Sequence, residues 1–319
     1  NWGYETEPQA ELNNRRIVWP RGKVLGGSGS INGLVFLRGA PSDFDEWEAR
    51  GATGWSYKDV LPYFKKSEHN EAGADEWRAT GGPMHLSNIK NPSVPSRAFV
   101  ETCAMLQHRR NPDFNGESIE GVGFVQLNVR NGRRVSTAVG YLKPNLDRRN
   151  LTLMTRTTVR KVILEGKRAV GVVIEREGQT KRLRARREVI LSGGSINSPQ
   201  LLMASGIGPA EELKSVGVDP RHDLPGVGKD LQDHLMVRMV LKTKIPGTLN
   251  EVSRSWVKSA QMAMEYAFKR SGQLTVGATE ATLFAKSRPS EPIPDLQFQC
   301  INFSTEGAFK VGLHAFPAF

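Results

Sequence analysis

Two glycine-rich stretches hold the residues of this sequence whose types and spacing could do chemistry. The first spans residues 21–39 and reads RGKVLGGSGSINGLVFLRG, with six glycines in nineteen positions and Ser28, Ser30 and Asn32 among them. Glycine adopts backbone angles that other residues avoid and lets a ligand approach main-chain N–H groups, so the run is typical of a loop that wraps a flat or anionic molecule. Flexible loops have the same composition, and spacing alone leaves both interpretations open.

The second stretch, residues 192–209, reads SGGSINSPQLLMASGIGP and follows a segment with the pattern of strands. Ser198 and Pro199 suit the N-cap and first position of a helix, and Gly206 suits its end. We predict that the last strand runs directly into the glycine pair. A strand, a glycine turn and a helix start in this order aim backbone N–H groups at an anion.

The elements around these stretches follow from local patterns. Residues 151–192 are rich in β-branched side chains and are interrupted by EGK and EGQ, which predicts a three-stranded antiparallel meander. Helices are predicted over 41–68 in two parts, with Ser42 capping the first, and over 209–217. An amphipathic helix is predicted over 253–272, with its Met and aromatic residues in the core. Residues 69–130 are expected to be loop-rich.

Composition excludes several classes of protein. The chain has 319 residues, 38% of them hydrophobic and 24% charged, which is typical of a folded protein with a sizeable core. No apolar run approaches the roughly 18 residues of a membrane span, so no transmembrane segment is predicted. Cys103 and Cys300 lack metal-ligand spacing, so we expect buried, reduced thiols and no metal site. The chain begins at Asn1 without a signal-peptide pattern; we expect the N-terminus to be missing, and localisation stays open between the cytoplasm and the membrane surface.

Basic residues are concentrated in the predicted meander. The chain carries a net charge of +11, and residues 148–188 hold thirteen Lys or Arg against four Glu. The segment has no aromatic residue for base stacking, and its charges alternate with Val and Ile as on the wet face of a sheet, so nucleic-acid binding is not favoured. A basic surface for an acidic partner remains the alternative, in a non-catalytic fragment or binding module.

Taken together, the two stretches resemble the signature motifs of the glucose–methanol–choline oxidoreductases, which are flavin-dependent alcohol oxidases and dehydrogenases. The segments GRRVSTAVGYL, residues 132–142, and LPGVGKDLQDH, residues 224–234, also resemble family segments in family order. The resemblance extends over essentially the whole chain and is strongest for the choline dehydrogenase and FAD-dependent alcohol dehydrogenase group.

This resemblance implies an α/β fold of mixed α+β character. It implies an incomplete FAD-binding Rossmann-like domain with an antiparallel meander, over 1–90 and 130–235, and part of an α+β substrate domain, over 91–129 and 236–319. The family's N-terminal G-x-G-x-x-G unit is not found, and His314 is not in the context of the family's catalytic His. The chain is therefore expected to be the middle of an enzyme, with no catalytic residue of its own and no turnover alone.

The implied reaction is the oxidation of a primary alcohol, choline-like or other, to the aldehyde by hydride transfer to flavin N5, with electrons passing to a quinone-type acceptor or oxygen. FAD is expected to be noncovalent because Ile31 stands where some relatives carry a flavin-tethering His. Asp230 stands where Asn is usual, and Arg78-Ala79 replace a common His-Gly pair. The residues implied to contact the cofactor are Val24, Gly26, Gly27, Ser28, Asn32, Gly33, Leu34, Val35 and Val159.

Glu280 falls near the Glu that choline-using members set against the trimethylammonium group. A buried carboxylate beside aromatic rings would suit a cation. A purely structural carboxylate is the alternative.

Overall fold

The computed structural model describes residues 1–306 and 312–319. The α-helices of this part, in chain order, are α1 Pro41–Ala49, α2 Tyr57–Ser67, α3 Val94–Met105, α4 Gly194–Ala204, α5 Ala210–Ser215, α6 Leu249–Val252 and α7 Trp256–Lys269. The strands are β1 Tyr4–Glu5, β2 Val18–Trp19, β3 Val35–Phe36, β4 Glu68–Asn70, β5 Met84–Leu86, β6 Gly121–Phe124, β7 Gln126–Leu127, β8 Val129–Arg130, β9 Arg133–Arg134, β10 Thr157–Glu165, β11 Arg168–Arg176, β12 Gln179–Arg184, β13 Ile207–Gly208, β14 His222–Asp223, β15 Thr279–Ala285 and β16 Leu296–Ile301.

Contacts between residues group the chain into two units. The first unit comprises residues 1–148 and 239–319, and the second comprises residues 149–238. Residues 91–129 thus group with 1–90, whereas the predicted division separated them. The assignment of a cofactor domain and a substrate domain stays a prediction.

A three-stranded antiparallel sheet, in the order β16-β15-β6, organises the first unit. The central strand β15 is buried along nearly its whole length, and α3 packs on the sheet through Val100 and Cys103. A second apolar cluster joins Leu34 to Val125, Leu127 and neighbouring side chains. It lies where β3, which follows the first glycine-rich stretch, pairs with β7.

Helix α3 was not predicted, because residues 69–130 were expected to be loop-rich. Ser93 caps the helix, and its Oγ accepts a hydrogen bond from the Ser96 N–H at 3.3 Å. Pro95 lies in the first turn, where no intrahelical N–H is needed. The Ser-x-Pro signal was present, but surrounding Gly, Pro and Asn residues concealed it.

Helix α1 confirms the prediction of a helix from residue 41 but not its predicted cap. The N-cap is Ala40, and Asp43 Oδ2 accepts a hydrogen bond from the Ala40 N–H at 2.8 Å. Pro41 is the first helical residue, so Ser42 already lies within the helix and the prediction of Ser42 as the cap was wrong. Helix α2 is the second part of the predicted helical span, and its N-cap is Ser56, whose side chain accepts from the Asp59 N–H.

The second unit contains the predicted antiparallel meander, β10-β11-β12. Its two turns, at Gly166 and Gly178, have φ of +59° and +74°, angles that glycine adopts without strain. Every residue of strand β12 is exposed. Its Lys and Arg side chains are therefore in contact with solvent, as the charge pattern predicted. Helix α4 lies against β10, and Ser205 Oγ accepts a hydrogen bond from the Val162 N–H at 2.8 Å.

The entry into α4 differs from the prediction. Strand β12 ends at Arg184, so it does not run directly into the glycine pair. The helix begins at Gly194, which puts Ser198 and Pro199 inside it rather than at its N-cap and first position. Ser198 instead reaches back, and its Oγ accepts a hydrogen bond from the Gly193 N–H at 2.9 Å. Gly206, just past the end of the helix, has φ of +86° and confirms the predicted stop.

Helix α7 forms as predicted, but its apolar side chains are not in the core. Trp256 is 82% exposed and Phe268 is 84% exposed, and no side chain of the helix is buried. Helical spacing predicts that apolar residues share a face, whereas burial depends on another element covering that face.

Cys103 and Cys300 are both buried free thiols, as predicted. Within residues 1–306 and 312–319, no helix has the length and apolar character needed to span a membrane.

Candidate functional site

The first glycine-rich stretch folds as a tight turn followed by one turn of 3-10 helix. The Gly27 N–H donates to the Val24 carbonyl at 2.9 Å, and the 3-10 helix runs over Gly27–Ser30. Gly26 has φ of +85°, and a Cβ there would lie 2.5 Å from Ser30 Oγ. This turn therefore requires glycine for both angle and space.

The serines of the stretch hold the loop, whereas several of its glycines face open space. Ser28 Oγ accepts from the Gly22 N–H at 3.1 Å, and Ser30 Oγ donates to the Leu25 carbonyl at 2.7 Å. A Cβ at Gly27, Gly29 or Gly33 would meet no atom of the described residues within 4 Å. The loop thus has a rigid interior and a bare outer face, which fits a ligand that contacts the main chain.

Arg134 clamps the end of this loop. Its Nη1 donates to Asn32 Oδ1 at 2.6 Å and to the Gly29 carbonyl at 3.2 Å, and its Nη2 donates to the Asn32 carbonyl at 2.7 Å. Partial burial lowers the pKa of the Arg134 guanidinium. Asn32 Oδ1 also accepts from the Leu34 N–H at 3.1 Å, where Leu34 has φ of +71°. A left-handed leucine is strained, so these contacts hold a bend that the chain would not adopt by itself.

Residues 32–34 and Glu280 line one cavity of about 310 Å³. The backbones of Gly33 and Gly277 meet beside it, and a Cβ at Gly277 would lie only 1.8 Å from the Gly33 carbonyl oxygen. This close approach brings the glycine-rich loop to the start of β15. The cavity is lined by Asn32, Gly33, Leu34, Arg134, Leu249, Gln273, Val276, Gly277, Ala278, Glu280, Asn302 and Phe303.

Glu280 is the acidic residue in the lining of this cavity and is only 1% exposed. The register between β15 and β16 shifts between Thr279 and Ala281, so Glu280 is the extra residue of a β-bulge, a device that re-aims a side chain. Its Oε2 accepts from the Ser93 N–H at 2.9 Å and from the Ser93 hydroxyl at 2.5 Å, at the N-terminus of α3. Its Oε1 is buried and has no hydrogen-bond partner in the described chain.

The other predicted cofactor residues lie outside this cavity's lining. Val24 is 53% exposed at the turn, and Gly26, Gly27 and Ser28 form the loop described above. Val35 lies in β3. In the second unit, Val159 lies on β10 immediately before a register shift and is partly exposed. The assignment of these residues to the cofactor stays a prediction.

The second glycine-rich stretch lines a cavity of about 550 Å³ in the second unit. Ser195 and Ile196 of the first turn of α4 contribute to its wall, together with residues 228–232 of the LPGVGKDLQDH segment. Asp230 has φ of +53°, a left-handed angle that Asn and Asp both tolerate. The replacement of the family's usual Asn is therefore conformationally conservative.

A buried charged cluster supports the strand after the first stretch. Arg38 Nη2 and Glu68 Oε2 form an ion pair of 2.6 Å with both side chains fully buried. Arg78, which is 1% exposed, hydrogen-bonds to Gln126 Oε1, and its Nε lies 3.4 Å from Glu68 Oε1. Burial lowers the pKa of Arg78. The resemblance to the family marked Arg78 as a departure from the expected pattern, but not the partners that its side chain binds.

Three further residues of the first cavity were missed from the sequence, namely Arg134, Gln273 and Asn302. Arg134 lies within the GRRVSTAVGYL segment, Gln273 precedes Glu280 closely in the chain and Asn302 follows the next strand, but no local pattern singles out these three side chains. Gly277 could have been noticed from the sequence, because a glycine three residues before the predicted Glu can indicate a close approach of two backbones.

The glycine-rich loop and the central strand β15 of the three-stranded sheet both line the cavity of about 310 Å³. Comparison with known families identifies the class of protein that has this fold and site. The family described as GMC oxidoreductase has a sequence profile that matches residues 7–236, and the chain belongs to this family. The resemblance identified from the two glycine-rich stretches is thereby confirmed.

Curated relatives point to one branch of that family. The chain is 43% identical over 320 residues to a protein of Brucella anthropi named oxygen-dependent choline dehydrogenase, a match covering 100% of this chain and 58% of the relative. It is 44% identical to the protein of the same name from Sinorhizobium fredii, over 99% of this chain and 58% of the relative. The chain thus spans 58% of the length of the relatives that it matches.

Solved structures share the fold. An FAD-dependent oxidoreductase from Chaetomium thermophilum superposes with a TM-score of 0.81 at 26% identity, covering 89% of this chain and 52% of that one. Pyridoxine 4-oxidase from Mesorbium loti has a TM-score of 0.81 at 28% identity, covering 99% and 58% respectively. These matches confirm the predicted fold class.

Proposed function

We propose that this protein is an FAD-dependent enzyme that oxidises a primary alcohol to the aldehyde. The observation that carries the proposal is the single cavity in which Asn32, Gly33 and Leu34 of the glycine-rich loop face the buried carboxylate of Glu280. The loop that would bind the cofactor and the carboxylate that would bind the substrate therefore line the same cavity. The names of the curated relatives and of the first solved structure support the cofactor and the reaction class.

The residues present fit FAD. The open faces of Gly27, Gly29 and Gly33 leave room for a flat or anionic group against the backbone. FAD, when bound, supplies the hydride acceptor. Ile31 has a saturated hydrocarbon side chain at the position where some relatives attach the flavin through His, so the binding is noncovalent.

Arg134 and Asn32 act as positioning residues in this scheme. The three hydrogen bonds of Arg134 hold residues 29–32 in one conformation, so the loop is ordered before the cofactor arrives. A preordered loop loses less conformational entropy on binding.

Glu280 supplies negative charge to the alcohol side of the cavity. Ser93 donates two hydrogen bonds to Oε2 and leaves Oε1 available, which fits a cationic substrate such as choline better than a neutral alcohol. We assign no proton-accepting residue to the described part of the chain, and we expect no turnover from these 319 residues alone. The relatives' name supports oxygen as electron acceptor, with a quinone-type acceptor as the alternative.

The test uses the complete gene product and the 319-residue chain side by side. The complete protein should be yellow, lose its visible flavin absorbance when an alcohol is added without oxygen, and release its flavin on acid precipitation. Flavin that stays in the precipitate would contradict noncovalent binding. A flavin that no primary alcohol bleaches would contradict the enzyme assignment.

A second candidate function rests on the exposed basic strand β12. Lys181, Arg182 and Arg184 project from a strand that is exposed at every residue, which suits an acidic partner. Colourless complete protein that is retained on heparin would favour this binding module over the enzyme.

A further inference from the structure

Two half-buried histidine rings stack where strands β4 and β5 pair. His69 and His85 are register partners in this parallel pair, and their ring centroids lie 4.9 Å apart with the ring planes 19° from parallel. His69 Nδ1 accepts a hydrogen bond from the Gly81 N–H at 2.9 Å, so this nitrogen carries no proton. A proton there would break the bond, and a positive charge on one ring disfavours a charge on the other. The observed arrangement therefore requires two neutral rings.

Two charged side chains act on His85 besides His69. Arg130, on β8, contributes a positive charge, whereas Glu71, which directly follows β4, contributes a negative one. Glu71 Oε1 already accepts a hydrogen bond from the Asn88 N–H at 2.7 Å. Partial burial, the charge of His69 and that of Arg130 together lower the pKa of His85 below its usual 6.5, because they outweigh the effect of Glu71.

The other elements beside the pair carry groups of a different kind. Helix α2 ends next to β4, and its last turn contains Lys65 and Lys66. Lys65 Nζ donates to the carbonyls of Asp75 and Glu76 at 3.0 and 2.8 Å. A turn of π-helix over Ala138–Leu142 contributes one titratable side chain, a tyrosine. Because lysine and tyrosine ordinarily keep one charge state between pH 5 and 8, acidification in this range adds charge at the histidines.

The segment 136–142 joins β5 to the glycine-rich loop. Met84 directly precedes His85 in β5. A Cβ at Gly140 would lie 2.7 Å from the Pro83 carbonyl oxygen and 3.0 Å from Met84 Sδ. The π-helical turn therefore packs directly against the strand that carries His85.

The same segment contacts Gly26 at its other end. A Cβ at Gly26 would lie 3.0 Å from Ser136 Oγ and 3.1 Å from Ala138 Cβ. Thr137 Oγ1 donates to the Gly26 carbonyl at 3.4 Å. Close packing of this kind transmits a movement, because it leaves no free volume to absorb one. A shift of β5 should therefore displace the turn at Gly26.

A second connection leads from the histidine pair to Arg134. Arg130 lies on β8, and the partner strand β9 carries Arg134. A positive charge on His85 would repel Arg130 and so act on the hairpin whose Arg134 holds Asn32.

We propose that the stacked His69–His85 pair is an acid-sensitive switch that loosens the glycine-rich loop, so that the protein binds FAD more weakly as the pH falls. The proposal rests on the proposed binding of FAD at this loop and adds its regulation. While both rings are neutral, β5 supports the loop through residues 136–142. Uptake of a proton by the pair breaks the bond from Gly81 or adds repulsion toward Arg130, and the loop loses this support.

Linkage between proton uptake and FAD binding determines the direction of the effect. A loop that binds FAD with the histidine pair neutral loses affinity wherever the free protein takes up more protons than the bound form. The affinity for FAD should therefore fall as the pH decreases through about 6.5, the usual pKa of histidine, and level off once the bound form is protonated as well.

The test is a titration of the apoprotein of the complete gene product with FAD, followed by flavin fluorescence between pH 8 and pH 5. We expect the dissociation constant to rise by about tenfold over this range, a usual size for coupling between two sites. His85→Phe keeps a ring for stacking, and His69→Gln keeps an acceptor for the Gly81 N–H. Neither variant can take up the proton, so both should flatten the profile while retaining FAD affinity at pH 8, which shows that they are folded.

His222→Gln, at an exposed position of the second unit, is the matched control and should keep the pH dependence of the natural protein. The same pH dependence in the natural protein and in all three variants would overturn the proposal.

Hydrogen exchange measures the loop in the absence of FAD. Protection of residues 22–33 in the apoprotein, corrected for the intrinsic effect of pH on exchange, should decrease on acidification of the natural protein and stay constant in His85→Phe. Constant protection in both proteins would contradict a loosening of the loop.

The outcomes separate this proposal from the one on which it rests. If the complete protein binds no FAD at any pH, the proposed function fails and the switch fails with it. If FAD binds with the same affinity at every pH, only the acid-sensitive switch fails.

Discussion

The Arg134 guanidinium binds Asn32 twice, donating to its side-chain oxygen at 2.6 Å and to its main-chain oxygen at 2.7 Å. The two residues are 102 positions apart. This clamp determines the direction in which the glycine-rich loop leaves its last turn, and therefore where Gly33 and Leu34 meet the cavity.

Removing the clamp should weaken cofactor binding. Arg134→Met deletes three hydrogen bonds from a charged donor and frees residues 29–32, so we expect the dissociation constant for FAD to rise by about 10- to 100-fold. Titration of the apoprotein with FAD, followed by flavin fluorescence, measures this. Arg133→Met at the exposed neighbouring position is the matched control. Equal FAD affinity in both variants would rule out a positioning role for Arg134.

Neutralising Glu280 should separate charged from neutral substrates. Glu280→Gln keeps the acceptor for Ser93 but removes the buried negative charge, so KM for a cationic alcohol should rise by about 10-fold or more, with little change for a neutral alcohol. Steady-state kinetics with choline and its neutral carbon isostere provide the ratio. The exposed Glu177→Gln serves as control. An unchanged ratio of KM values would leave Glu280 as a structural carboxylate.

Breaking the buried ion pair should destabilise the fold. Glu68→Gln leaves the fully buried Arg38 guanidinium without its counter-charge, and we expect a loss of about 3–5 kcal/mol in the free energy of unfolding. Glu101→Gln removes an exposed ion pair with Arg110 and should have a much smaller effect, because solvent screens exposed pairs. Thermal and denaturant unfolding compare the two variants. Similar losses in the two variants would show that the buried ion pair contributes no more to the free energy of unfolding than the exposed one.

The buried thiol of Cys300, on the edge strand β16, should be unreactive until the protein unfolds. Burial raises the pKa of the Cys300 thiol to about 11, so at pH 8 it is almost entirely protonated as well as inaccessible. Alkylation by iodoacetamide, located by mass spectrometry, should modify Cys300 only after denaturant is added. Rapid modification of the folded protein at pH 8 would be inconsistent with this environment.

Acidification should weaken the pairing of β4 with β5. His69 and His85 stack with ring centroids 4.9 Å apart, and partial burial together with the charge of His69 lowers the pKa of His85 below its usual 6.5. Because the unfolded state then binds more protons, stability should decrease as the pH falls through about 6.5 and level off below the folded-state pKa. His85→Gln should flatten this part of the curve of Tm against pH. An unchanged curve in the variant would assign the pH dependence to other groups.

Local chemistry in the sequence determined much of this protein. The meander follows from alternating β-branched residues with glycines at its turns, and α2 follows from Ser56 at its cap, because both depend on contacts within a few residues. The two glycine-rich stretches, taken together, identified the family through their resemblance to its signature motifs, whereas the spacing of glycines in either stretch alone left a flexible loop open.

Tertiary structure decided what those local signals could not. Gly33 lies beside Gly277, and Glu280 is re-aimed by a bulge, because strands distant in the chain pair in one particular register. Gln273 Oε1 and Asn302 Oδ1 are buried without a hydrogen-bond partner in the described chain, which only the packing of distant segments could determine. The exposure of Trp256 likewise depends on what packs against a helix, which its own spacing does not contain. Residue type and spacing therefore determined which chemistry was available, and the pairing of distant segments determined where it was assembled.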